Sequence, residues 1–121
     1  MDVLLVEDEP LVREMLSEDL LDAGLAATCV ESAEAGLSAA ERDGPPVVLV
    51  TDVNLGPGMN GLQLVVEARR RWPQLAVVLM SGDERNFAHP FTRQFNSCFL
   101  KPFNPPKLVS AVNTLMGRPA Q

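Results

Sequence analysis

Short runs of aliphatic residues recur along the chain, and each run has the length of a β-strand. They cover residues 3–6, 26–30, 47–50, 75–80 and 98–100. Three of the runs are almost continuously apolar, which is typical of parallel strands whose sheet is covered by helices on both faces. The pattern therefore predicts five strands in one parallel sheet.

Stretches with helical spacing lie between these runs. One apolar helix face is predicted by Leu11, Met15, Leu16 and Leu20, and another by Leu62, Val65, Val66 and Arg69. Ser32 is expected to cap a helix that reaches Arg42. Pro105, directly after Asn104, opens a last helix. We expect its inward-facing residues to be Leu108, Val112 and Leu115.

The alternation of strands and helices predicts an α/β fold with a doubly wound five-stranded parallel sheet and about five helices. Nothing in the sequence resembles a linker or a repeat, so residues 1–121 are expected to form one domain. Residues 83–96 fit the pattern worst, because His89 precedes Pro90 and should be extended. We expect the fourth helix to be short or irregular, with His89 exposed in a loop.

Composition and charge exclude several classes of function. The net charge of -6 argues against direct nucleic-acid binding, which needs clustered Lys and Arg. The triple arginine at residues 69–71 is better explained as the end of a helix.

The two cysteines, Cys29 and Cys98, have no metal-site spacing and favour a reducing compartment. No apolar run has the length of a membrane span, so a cytoplasmic location without membrane association is expected.

Acidic residues stand where the first and third strands end. Glu7 and Asp8 follow the first strand and Asp52 ends the third. If these strands are neighbours, the three carboxylates converge at one edge of the sheet, where α/β proteins bind ligands. Two charges about 4 Å apart repel by roughly 4 kcal/mol at an effective dielectric constant near 20, so a cation must offset them. Oxygen ligands of this kind suit Mg²⁺, and Lys101 after the fifth strand would add a second positive charge. This set supplies the parts that phosphoryl transfer requires.

The sequence resembles the receiver domain of two-component response regulators, and the resemblance covers nearly its whole length. The resemblance rests on four motifs, each at the end of an expected strand. They are Val6-Glu7-Asp8-Glu9, Val50-Thr51-Asp52, Met80-Ser81-Gly82 and Lys101-Pro102-Phe103. The fold that the resemblance implies is the flavodoxin-like receiver fold.

The resemblance also implies a role for each matching residue. Asp52 would accept a phosphoryl group from a phosphohistidine on a histidine kinase or a histidine phosphotransfer protein. Magnesium would be bound by Asp8 directly, by Glu7 mostly through water, by Asp52, and by the main-chain carbonyl of Asn54. Ser81 and Lys101 would contact the phosphoryl group. Asn54 and Asp83 would tune the rate at which water removes it. The domain would catalyse only its own phosphorylation and dephosphorylation. It would therefore be a phosphoacceptor signalling domain and not an enzyme.

Two features depart from the family pattern. Cys98 stands three places before the lysine, where the family usually has Tyr or Phe that couples the site to partner-binding surfaces. The chain contains no Tyr. The segment from Val53 to Gly61 is one residue longer than the common form. With the irregular fourth helix, these features predict atypical output signalling.

Other functions fit the sequence less well. Phosphatases of the dehalogenase type need a second Asp two positions after the nucleophile, where this chain has Asn54. A flavin phosphate would be repelled by the acids at residues 7–9. A Walker loop is absent. The remaining alternative is a receiver-like protein-binding module that acts with little or no phosphorylation. The sequence also leaves open the cognate kinase, the output, the oligomeric state, and whether the domain stands alone or belongs to a larger protein.

Overall fold

The computed structural model describes residues 1–87 and 95–118. Its strands are β1 (Val3–Val6), β2 (Ala27–Val30), β3 (Val48–Asp52), β4 (Ala76–Ser81) and β5 (Ser97–Leu100). All neighbours pair in parallel, in the order β2-β1-β3-β4-β5. The predicted five-stranded parallel sheet is therefore confirmed, with β1 and β3 side by side at its centre.

Four α-helices connect or follow these strands in the described residues. They are α1 (Pro10–Asp22), α2 (Ala33–Asp43), α3 (Gly61–Arg71) and α4 (Pro105–Leu115). Ser32 caps α2 as predicted, accepting the Ala35 N–H at 3.1 Å. Between β4 and β5 the described residues contain one 3₁₀ turn, Glu84–Phe87, in agreement with a short or irregular fourth helix. His89 and Pro90 lie outside the described residues.

The core has one apolar layer on each face of the sheet, because successive strand side chains alternate between the faces. Leu4 and Val6 of β1 pack in the layer under α2 and α3. Val3 and Leu5 pack in the layer under α1 and α4. Both faces of the central strands are thus sealed from water, and polar strand-end groups gather at the carboxyl edge. None of the helices in the described ranges has the length and hydropathy of a membrane-spanning segment.

The predicted apolar faces of α1 and α3 are partly wrong. Leu16 and Leu20 are buried, but Leu11 is 76% exposed and Met15 is 43% exposed. The buried face of α1 also includes partly buried Val12, and Ala23, directly after the helix, packs in the same layer. Both continue the spacing of three to four residues from Leu16 and Leu20. On α3, Val65 is buried as predicted, whereas Val66 is 49% exposed and Leu64 and Ala68 complete the inner face. In α4, Leu108 and Val112 are buried as expected.

Candidate functional site

The ends of β1, β3 and β5 bring two acids and one amine together. Asp52 is the last residue of β3, while Glu7 and Lys101 directly follow β1 and β5. The main chain of Glu7 still pairs with β2, because its N–H donates to the Val30 carbonyl at 3.0 Å. This pairing fixes the direction of the Glu7 side chain, which is fully buried. Carboxylates from neighbouring parallel strands therefore meet at one edge, as the motif spacing predicted.

Lys101 bridges the two buried carboxylates. Its Nζ donates to Oε1 and Oε2 of Glu7 at 3.1 and 3.0 Å, and to Oδ2 of Asp52 at 2.5 Å. The Lys101 side chain is 22% exposed and that of Asp52 is 8% exposed. A lysine side chain that is so little exposed needs carboxylate partners, because a buried charge is costly unless it is paired. The site thus presents one ammonium group between two carboxylates.

Burial and pairing act against each other on these charges. Burial raises the pKa of Glu7 to about 7, helped by the nearby Asp52 charge, although the hydrogen bond from Lys101 opposes the rise. Burial lowers the pKa of Lys101, but its hydrogen bonds to Asp52 and Glu7 outweigh this effect and the net change is upward. Lys101 therefore stays protonated, and the cluster keeps an excess of negative charge whenever Glu7 is ionised.

Asp8 completes a cluster that has the chemistry of a divalent-cation site. One carboxylate oxygen from each of Glu7, Asp8 and Asp52 lies within 4.8 Å of the others. Each pair of charges at about this separation repels by roughly 3 kcal/mol at an effective dielectric constant of 20. With all three acids ionised, the single Lys101 ammonium leaves the cluster with a net negative charge. Asp8 is exposed, so a cation can approach from solvent. An all-oxygen set that is open on one side fits Mg²⁺, which keeps several of its waters.

The main chain around Asp52 is held tightly from several sides. The Asn54 N–H donates to Asp52 Oδ1 at 3.2 Å. The Thr51 hydroxyl donates to the Asp52 carbonyl at 3.0 Å. Gly61 packs so closely on this carbonyl that a Cβ there would overlap it. Asn54 itself is exposed, beside the carboxylate that the sequence predicts as acceptor.

Ser81 is in the predicted strand-end position, but its hydroxyl is engaged with the turn that follows. Its Oγ accepts from the Asp83 N–H at 3.0 Å and from Asn86 Nδ2 at 2.7 Å, and it donates to the Asp83 carbonyl at 3.1 Å. Asp83 pairs with Arg85 at 2.6 Å. The side-chain hydrogen bond from Arg85 lowers the pKa of Asp83 to about 2. Ser81 is thus held by its own turn in this conformation.

Cys98 lies on the edge strand β5, paired in register with Leu79 of β4. It is an exposed residue, and partial burial of its thiol raises the pKa. In the second core layer, Phe99 and Phe103 are in tilted ring contact, with centroids 5.6 Å apart. Phe99 therefore contributes to this core layer.

Sequence reasoning missed two residues that support the site. Arg13 of α1 donates to the Glu7 carbonyl at 2.9 Å, and Asn86 holds Ser81. For Arg13 the signal was its place one turn into a helix that follows the acidic motif, where a long side chain can reach back to the strand end. Asn86 had no usable signal, because the 3₁₀ turn that directs it was not predicted.

Comparison with known proteins gives a consistent result. Residues 3–113 match the family model described as response regulator receiver domain. The chain is 47% identical over 80 residues to the response regulator protein FleR of Pseudomonas aeruginosa. It is 36% identical over 122 residues to the transcriptional regulatory protein AruR of the same species. These alignments cover 66% and 96% of this chain, but 16% and 49% of the relatives. The chain thus spans half or less of the length of these relatives.

Solved structures resemble the whole chain. The receiver domain of NtrX from Brucella abortus superposes with a TM-score of 0.86 at 25% identity, covering 96% of this chain and 98% of that one. The response regulator TrrA of Thermotoga maritima, solved in complex with Mg²⁺ and BeF, gives a TM-score of 0.83 at 26% identity. That match covers 93% of this chain and 96% of TrrA.

Proposed function

This chain belongs to the response regulator receiver domain family, and we propose that it receives a phosphoryl group on Asp52 in a magnesium-dependent reaction. The donor would be the phosphohistidine of a histidine kinase or a histidine phosphotransfer protein. Phosphorylation would then change the contacts of the domain with a downstream protein. Its place of action would be the cytoplasm.

One observation carries this proposal. The carboxylates of Glu7, Asp8 and Asp52 and the Lys101 ammonium occupy one edge of the sheet, with Lys101 Nζ 2.5 Å from Asp52 Oδ2. Such a buried ion cluster is not explained by a need for stability, because apolar residues of similar size in its place often give a protein that is at least as stable. Phosphoryl transfer, by contrast, needs positioned charges and little covalent chemistry from the protein.

In the proposed reaction, an Asp52 carboxylate oxygen attacks the phosphorus atom of the phosphohistidine. A P–O bond forms and the P–N bond breaks, with its electron pair going to the departing imidazole nitrogen, which takes a proton from solvent. Lys101 would hold Asp52 in place and pair with the phosphoryl oxygens after transfer. The Asn54 N–H, which donates to Asp52 Oδ1 at 3.2 Å, would keep the carboxylate from turning away.

Magnesium would be held by Asp8, Asp52 and the main-chain carbonyl of Asn54, with Glu7 acting mainly through water. When bound, the ion would neutralise charge on the phosphoryl oxygens. The all-oxygen cluster within 4.8 Å supports this assignment. So does the complex of the similar protein TrrA with Mg²⁺ and BeF.

Intact mass measurement after incubation with acetyl phosphate and Mg²⁺ tests the proposal. The wild-type protein should gain one phosphoryl group, and the gain should disappear with EDTA or in Asp52→Asn. Asp22→Asn is a matched control, because Asp22 is an exposed acid at the far end of α1. No gain in the wild type would refute the proposal and favour a protein-binding module that works without phosphorylation.

Three features support atypical output signalling as part of the same proposal: Cys98, the long segment from Val53 to Gly61, and the irregular fourth-helix region. Asn54 and Asp83 would set the rate of dephosphorylation, and Cys98 stands where an aromatic switch residue is usual in the family. Ser81 would have to leave Asp83 and Asn86 to reach the phosphoryl group. Amide exchange with and without a beryllofluoride mimic tests the output. Changes in exchange confined to the fourth-helix region and β5 would count against atypical output signalling.

A further inference from the structure

A carboxylate outside the site contacts the segment that follows the acceptor. Glu34 lies in the first turn of α2, and its Oε2 accepts the Met59 N–H at 2.9 Å. Met59 belongs to the acceptor loop, which we define as residues 53–60. The hydrogen bonds from the main chain of Met59 and of Glu34 itself lower the pKa of Glu34, so it is ionised at neutral pH. A charged acceptor makes a stronger hydrogen bond than a neutral one.

The backbone next to this contact is shaped to receive Glu34. Gly58 has φ +96°, which favours glycine, and a Cβ at this position would lie 2.9 Å from Glu34 Oε2. A side chain at residue 58 would therefore push the carboxylate off Met59. Close approach of the loop to α2 thus depends on a residue without a side chain.

The rest of the acceptor loop is fixed at both ends. At its start, Asn54 donates to Asp52 Oδ1. At its end, Asn60 and Gln63 form a reciprocal capping box at 2.9 Å in each direction. The middle of the loop passes Asp8, whose Oδ2 lies 3.7 Å from the position of a Cβ on Gly56. Leu55 is buried in the core layer under α2 and α3, and the Met59 side chain packs against it. Glu34 adds a charged hydrogen bond from α2 to the main chain of this middle portion.

We propose that Glu34 is a positioning residue that holds the acceptor loop in the conformation in which magnesium binds. This inference rests on the proposed function, because the loop carries the Asn54 carbonyl assigned to the ion. Without the Glu34 contact, the loop samples other conformations and the ion must select the competent one. The apparent affinity for magnesium is then reduced in proportion to the fraction of time that the loop spends in the binding conformation.

The test compares Glu34→Ala and Glu34→Gln with Glu31→Ala. Glu31 is an exposed acid in the β2–α2 connection, three residues before Glu34, and its removal changes the net charge by the same amount. The first measurement is amide hydrogen exchange at Met59, which needs neither metal nor phosphoryl donor. Glu34→Ala should speed this exchange by about tenfold, the ratio expected for loss of a hydrogen bond to a charged group. Glu34→Gln keeps an acceptor oxygen and should restore most of the protection.

The second measurement is a magnesium titration followed by amide chemical shifts, together with the rate of phosphorylation by acetyl phosphate at each magnesium concentration. In Glu34→Ala the midpoint should move to higher magnesium by about threefold or more, with an unchanged rate at saturation. A lower saturating rate with an unmoved midpoint, or equal behaviour of Glu34→Ala and Glu31→Ala, would overturn the inference. A wild-type protein that gains no phosphoryl group would refute the proposed function instead. Exchange at Met59 and the magnesium midpoint would then still decide the role of Glu34.

Discussion

Removal of the Lys101 charge is the most direct perturbation of the site. In Lys101→Met, Glu7 loses contacts at 3.0 and 3.1 Å and Asp52 loses one at 2.5 Å. Glu7 is fully buried and the Asp52 side chain is 8% exposed. Removing one partner of a buried ion pair costs about 3–5 kcal/mol, and we expect the lower part of that range because Lys101 is partly exposed.

Protonation of Glu7 limits the loss of stability in Lys101→Met and makes that loss depend on pH. The folded-state pKa of Glu7 is already raised to about 7 by burial, and it rises further without the lysine. A raised carboxyl pKa contributes stability that is present at low pH and is lost as pH increases. The deficit of Lys101→Met should therefore be larger at pH 8 than at pH 6.

Urea unfolding of the metal-free protein at both pH values measures the free energy of unfolding. Lys107→Met is the matched control, because Lys107 is exposed on α4 and has the same charge. We expect its stability to change by no more than about 0.5 kcal/mol. A Lys101→Met protein as stable as the wild type at pH 8 would refute the reasoning, because the acids would then need no cation.

Three further predictions concern single groups. Gly61→Ala should destabilise the protein by about 2–3 kcal/mol in urea unfolding, since its Cβ would overlap the main-chain carbonyl of Asp52. Gly82→Ala, with open space around it, should be nearly neutral. Asn113→Leu should stabilise by about 1 kcal/mol in the same assay, because the buried Oδ1 has no hydrogen-bond partner within residues 1–87 and 95–118; a loss would contradict this. NMR titration should place the pKa of Asp83 at about 2, below its ordinary 3.8. Arg85→Ala should reduce that shift without abolishing it, because the Arg85 side chain is its largest cause but the main-chain N–H of residue 85 still donates to Asp83. The pair's contribution to stability is present above pH 4 and is lost toward pH 2.

The sequence by itself was sufficient for the order of the elements and for the edge at which the polar groups meet. Buried parallel strands must be continuously apolar, and their carboxyl ends share one edge. The runs ending before Glu7, at Asp52 and before Lys101 therefore predicted the cluster. The predicted single domain over residues 1–121 and the individual roles of the site residues stay predictions, to be tested by the experiments above.

Tertiary structure alone decided which side chains are buried and which groups they contact. Adjacent acids are equivalent in the sequence, yet Glu7 is sealed in the interior and Asp8 is exposed. The reason is that pairing with β2 fixes the backbone of Glu7, and side-chain direction alternates along a strand. The contact of Glu34 with Met59 joins residues 25 positions apart. Such contacts depend on how α2 packs beside the segment between β3 and α3, which no local pattern in the chain encodes.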